Sequence, residues 1–151
     1  MSYLRQAFTS LSRVSDTPER TAFAFAIGVF YGFGPLLGLH TILAVATAFV
    51  FRLNKVAILL GTWSNLPWIV VPFYAFATWV GITLLGLPEG VSLPRIGLGE
   101  LIRMEFWLSL LAQWKLLIPA VFGSFFLSTV MAGLAYPTAL YVIRRYRKED
   151  S

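Results

Sequence analysis

The chain has 151 residues, of which 58% are apolar and only 13% charged, against roughly 45–50% and 25% in soluble domains. Its 12 basic and 7 acidic side chains are too few to clothe a soluble domain of this size. That excludes a soluble enzyme, a disordered chain and a coiled coil. The mean hydropathy of +0.74 fits an integral membrane protein. The expected fold class is an all-α, polytopic helical bundle forming a single membrane domain over residues 1–151.

The formal net charge is +5. The charges are scattered between apolar runs rather than gathered into a nucleic-acid footprint, so no nucleic-acid partner is expected. The one dense cluster, Arg144, Arg145, Arg147 and Lys148, reads as a cytoplasmic anchor, with an anionic-lipid site as the narrower alternative. There is no cysteine and one histidine. Disulfides and thiol chemistry are excluded, and neither a metal site nor a cofactor is expected. No signal-peptide pattern is present, and the mature chain is expected to start at Met1.

Residues 3–14 place Tyr3, Leu4, Ala7, Phe8, Leu11 and Val14 on one face and read as an interfacial amphipathic helix. Thr17-Pro18-Glu19 follows as a helix start: a capping side chain, a proline in the first turn and an acid at the positive end of the dipole. From Thr21 to Phe51 no residue is charged. One straight helix of that length would reach roughly 46 Å, against a hydrocarbon core of about 30 Å. Gly32, Gly34, Pro35 and Gly38 weaken its middle. The run is expected to break near Pro35 into two half-helices, about 21–33 and 36–51. As a hairpin over 18–51 it would return to the side it left; as a kinked span it would cross.

Arg52-Leu53-Asn54-Lys55 forms a polar elbow, with Arg52 and Lys55 as interface anchors or as contacts for a head group. A second uncharged run follows, read as a broken helix plus a crossing over 56–86. Ser64, Asn65 and Pro67 break it, and Pro72 lies further on. Gly28 and Pro35 correspond to Gly61 and Pro67, as in an internal repeat. Trp63, Trp68 and Trp79 read as packing and depth anchors. Residues 89–99 form a Gly- and Pro-rich loop. The helical pattern resumes over 100–115, with Trp107 and Trp114 on one face as an interfacial helix end.

Residues 116–143 form an ordinary transmembrane helix, followed by a basic cytoplasmic tail over 144–151. Ala120, Ser124, Ser128 and Ala132 make a small-residue stripe, suited to close packing by the chain's own helices or by a second copy. The start of the chain, the elbow and the tail are all positive, so both termini are expected in the cytoplasm and residues 87–115 outside.

Several of these stretches resemble the bacterial membrane family known as domain of unknown function 2062. They are Thr17-Pro18-Glu19-Arg20, the run from Ala26 to Thr41 with Gly-Phe-Gly-Pro at 32–35, Arg52-Leu53-Asn54, the run from Gly61 to Pro67, and Gly123-Ser124. The resemblance covers about residues 15–145. Leu66 departs from it by separating the asparagine from the proline. The resemblance implies an inner-membrane location and, through relatives attached to glycosyltransferases, envelope or lipid-linked sugar work. It implies no activity.

No nucleophile, phosphate loop or carboxylate pair stands at a catalytic spacing, so no enzyme is expected. The candidate site lies at the two breaks. Broken helices inside a bilayer leave backbone groups that must be buried in protein or line a wet cavity. A half-helix starting at Pro35–Leu36 would aim its free N–H groups inward. Another starting near Pro67 would do the same, capped by Asn65 or Ser64. If the breaks meet, Gly34, Pro35, His40, Thr41, Ser64 and Asn65 would line a pocket for an anion such as a lipid phosphate. His40 reads either as a neutral partner for a freed carbonyl or as a substrate or proton contact. Asn65 reads as a structural cap or as a ligand.

Two functions follow: binding or translocation of an anionic small molecule or lipid head group, or an accessory subunit of a membrane complex, for example with an envelope glycosyltransferase. The expected partners are the lipid bilayer and either a homo-oligomer or another membrane protein.

Overall fold

The computed structural model describes residues 16–36, 38–86, 99, 103–105, 108, 112 and 114–149. The expected surface helix at 3–14, the loop at 89–99 (Gly99 apart), and most of 100–113, with Trp107, lie outside them. The described chain is helical, with no strand.

Helix α1 spans Pro18–Phe33. The Thr17 hydroxyl accepts from the Arg20 backbone N–H at 3.3 Å, and Pro18 occupies a position where its missing N–H costs nothing. The helix stops before Gly34-Pro35, where proline can neither donate nor fit the preceding turn. Helix α2 spans His40–Val50, so it begins later than the expected Leu36. The Leu36 carbonyl accepts from Leu39 and His40 in a preliminary turn, and Gly38, at φ +89°, interrupts the path before the helix proper.

Helix α3 spans Lys55–Thr62, capped by the Asn54 side chain, which accepts from Val56 and Ala57 at 3.1 Å each. Helix α4 spans Pro67–Leu85 and ends at Gly86, φ +87°. Its cap residue is Leu66, without a side-chain bond. The expected cap by Asn65 or Ser64 does not form, because both side chains serve earlier carbonyls. A short 3-10 turn, Trp114–Leu116, leads into helix α5, Leu117–Glu149. It outruns the expected 116–143, so most of the basic tail is helical. Arg147 and Lys148 suit the negative end of its dipole.

The first apolar run is a hairpin, not a kinked span. The Tyr31 hydroxyl meets that of Thr47 at 2.9 Å, and Arg20, at the start of α1, reaches the carbonyls of Phe51 and Arg52 just past α2. Helix α3 then lies parallel to α1. A Cβ at Gly28 would collide with the Ile58 carbonyl, one at Gly32 with Thr62, and one at Gly61 with Phe25. Glycine is required at these three positions because backbone meets backbone. The core beside this crossing is Ala24, Ala44, Ala48, Leu53, Ala57 and Ile58. Small residues let helices approach closely and gain dispersion contacts.

Helix α5 runs antiparallel to both α1 and α4. The ring of Phe125 lies beside that of Phe30, and Arg144 bonds Glu19. Gly81 faces Pro119 and Gly123 faces Ala77, again backbone to backbone. Ser124 and Ser128 are fully buried, while Ala120 and Ala132 are half-buried. The two serines of the small-residue stripe are thus covered inside the chain.

Candidate functional site

The two helix breaks meet. The Asn65 amide donates to the Gly32 carbonyl at 2.8 Å, and the Tyr74 hydroxyl donates to the Gly34 carbonyl. Both acceptors belong to the end of α1, whose last carbonyls have no partner within the helix. The Phe33 and Phe73 rings stack edge to face, 4.9 Å apart, beside them. Gly34 is buried and Pro35 half-buried.

Two further polar side chains there also bond locally. Ser64 donates to the Gly61 carbonyl at 2.6 Å. His40 Nδ1 accepts from the Gly38 N–H at 3.2 Å, a structural role within its own turn. Thr41 is half-buried. Pro67 and Trp68, at the start of α4, are exposed, so that helix does not aim its first N–H groups into a shared cavity. One buried atom lacks a partner at the joint, Asn65 Oδ1. It is an acceptor, which repels an anion. Of the residues expected to line an anion pocket at the breaks, His40, Ser64 and Asn65 are thus engaged with backbone groups of the chain itself.

A groove of about 600 Å³ lies elsewhere, between α1, α2 and α5. Phe23, Phe30, Tyr31, Phe51 and Tyr136 are among the residues that line it. Its surface is almost wholly apolar.

Several charged groups gather at one end of the molecule. Arg20 meets Asp16 at 2.9 Å and donates to the carbonyls of Phe51 and Arg52 at 3.3 and 2.8 Å, tying the start of α1 to the end of α2. Arg144 bonds Glu19, and Arg147 donates to the Asp16 carbonyl at 2.8 Å. These contacts bring the start of α1, the elbow and the end of α5 to one side. The hydrogen bond from Arg144 holds the Glu19 carboxyl below its usual pKa. Arg145 donates to the Tyr141 hydroxyl and approaches Glu149 at 3.9 Å. Arg52 and Lys55 are exposed, and the Lys55 ammonium sits 3.8 Å from the centre of the Phe49 ring. Among the described residues no three His, Cys, Asp or Glu side chains gather as a metal site would require.

The whole chain, residues 1–151, matches the model of a family described as "Uncharacterized protein conserved in bacteria (DUF2062)". The chain belongs to that family. No curated protein and no solved structure matches it.

Three structural roles in this DUF2062 chain escape its sequence pattern. Tyr74 reads as one more aromatic in an apolar helix, yet it closes the end of α1. Arg20 reads as the end of a helix-start motif, yet it clamps the elbow. Asn54 reads as part of a polar turn, yet it caps α3. A lone polar side chain within or beside an apolar run was the available signal, since such a group must find a partner.

Proposed function

We propose that the protein is a non-catalytic, multi-pass protein of the bacterial inner membrane that binds an anionic lipid head group at its basic end. One observation supports the membrane reading above others. Helices α4 and Trp114–Glu149 are both long and apolar enough to cross a bilayer, yet only 11% and 28% of their most apolar stretches are buried. The core helix of a soluble protein would be mostly covered. Exposed Phe76, Trp79, Phe122 and Phe126 need an apolar surrounding. Helical rather than barrel spans, in a bacterial family, favour the inner membrane.

In this reading α1 and α2 form a re-entrant hairpin. Their 16 and 11 residues reach about 24 and 16 Å, short of a hydrocarbon core of about 30 Å. The hairpin enters from the basic side, which the positive-inside rule assigns to the cytoplasm, while α4 and α5 cross. The closure of the α1 end by Asn65 and Tyr74 favours binding over translocation, which would need a wet path there.

An accessory role, with docking on another membrane protein or a second copy, draws its support from α4. The outer face of that helix carries Phe76 stacked on Trp79, 5.7 Å apart, and is left uncovered by the described residues.

Single cysteines test the topology, since the chain has none of its own. With an impermeant maleimide, Cys in place of Lys55 or Glu149 should react only after the inner membrane is opened. Cys in place of Gly99 should react before. Labelling of all three from one side, or recovery of the protein in the soluble fraction, overturns the reading.

A further inference from the structure

We infer that the elbow between α2 and α3 is the head-group site, with Arg52 and Lys55 holding the phosphate of an anionic phospholipid whose chains lie along Phe49, Val50, Phe51 and Val56. The inference rests on the membrane reading above and adds the residues and the ligand class.

It begins with the accounting of charge at the basic end. Arg20, Arg144 and Arg145 each face an acidic side chain, at Asp16, Glu19 and Glu149. Arg147 bonds a backbone carbonyl, and Lys148 also has a partner. Arg52 and Lys55, three positions apart in sequence, meet no acid among the described residues. Lys55 is also the first residue of α3, where the helix dipole is positive and a cation is disfavoured. The Asn54 cap takes the place an acid would fill. Arg52 adopts φ 51°, alone among the described non-glycine residues in the left-handed region, a conformation that costs an ordinary side chain energy. An anion between the two side chains would relieve the charge repulsion.

The elbow is also held in place. Leu53 and Asn54 are buried between the two exposed cations. The Leu53 N–H bonds the Ala48 carbonyl at 2.9 Å, and Arg20 fixes the Phe51 and Arg52 carbonyls. The ligand therefore meets two cations carried on a held stretch of backbone. Directly beside them Phe49, Val50 and Phe51 are 61%, 74% and 65% exposed and Val56 is 41% exposed. A cationic pair bordered by uncovered apolar side chains matches an amphiphile with a phosphate at one end and acyl chains at the other, and a free phosphate would leave the apolar border bare.

Native mass spectrometry of the full chain released from detergent tests this, with phosphatidylglycerol and phosphatidylcholine as probes. The wild type should retain phosphatidylglycerol preferentially. Arg52→Gln with Lys55→Gln should weaken that retention about tenfold or more, and phosphatidylcholine should be unaffected. Arg144→Gln with Arg145→Gln should leave both within about twofold. Arg52→Gly, which suits the left-handed backbone, should fold and still lose part of the preference. Unchanged phosphatidylglycerol retention in the elbow variants, with selectivity intact in the wild type, overturns the elbow assignment and leaves lipid binding standing. No selectivity in the wild type overturns lipid binding itself. Displacement of the lipid by an equal concentration of inorganic phosphate assigns the elbow to a soluble anion and overturns the lipid reading.

Discussion

The side-chain amide of Asn65 donates to the backbone carbonyl of Gly32, 2.8 Å away and 33 residues earlier. This bond fastens the second helix break to the end of α1. It supplies a partner to a carbonyl that the helix geometry leaves without one. Asn65→Ala should lower stability by about 1 kcal/mol, the scale of side-chain bonds between membrane helices. Thermal unfolding in detergent measures it. A variant as stable as the wild type would remove the bond from the list of what holds the joint.

Glycines at helix crossings should respond sharply to a methyl group. Gly28→Ala and Gly61→Ala each press a Cβ onto the backbone of the facing helix and should cost about 1–3 kcal/mol. Gly133→Ala meets nothing within 4 Å and should be neutral or stabilising by up to about 1 kcal/mol through helix propensity. The three unfolding midpoints, compared in one detergent, check the contrast.

Arg52→Gly should raise stability by about 1 kcal/mol, because glycine adopts a positive φ without the clash an ordinary side chain meets. Chemical denaturation reads this. Coupled with the lipid measurement, it separates a residue kept for binding from one kept for the fold.

Glu19 carries a pH dependence of defined sign. The Arg144 contact depresses its folded-state pKa below the ordinary 4.5. The contact therefore contributes stability above about 4.5, and that contribution is lost as pH falls through the depressed folded value. Glu19→Gln should differ from the wild type near neutral pH and converge with it in acid. A difference between the two melting curves that persists unchanged into acid would contradict the pairing.

Much of the architecture was legible along the chain. Thr17 and Pro18 announced the start of α1, Gly34-Pro35 its end, and Pro67 the start of α4. These signals are local: a cap or a missing N–H acts within one turn. The starting residue of α2 was not legible, because a preliminary turn around Leu36 and the positive φ of Gly38 postpone it. Gly28 and Gly61 looked like matching marks of a repeat. They are also where two backbones touch, which their shared lack of a side chain allowed but did not specify.

The candidate site was less legible. His40, Ser64 and Asn65 were visible as polar residues in an apolar setting, and each does find a partner. Those partners are backbone carbonyls and N–H groups at the helix ends, which carry no residue-type signature. The pair at Arg52 and Lys55 emerged only once the basic side chains around it, Arg20, Arg144, Arg145 and Arg147, could be matched with their partners.

Composition, the uncharged runs and the placement of Gly, Pro and Arg were enough to establish apolar helices, broken twice, with charge at particular turns. These depend on single residues and their immediate neighbours. The reversal of the first run and the sealing of the breaks by Asn65 and Tyr74 were decided only by tertiary structure. So were the burial of Ser124 and Ser128 and the latching of Arg144 onto Glu19. The bonded partners stand 33, 40 and 125 residues apart. Which donor reaches which acceptor over such separations depends on how closely helices pack, and that is set by the backbone contacts at Gly28, Gly32, Gly61, Gly81 and Gly123.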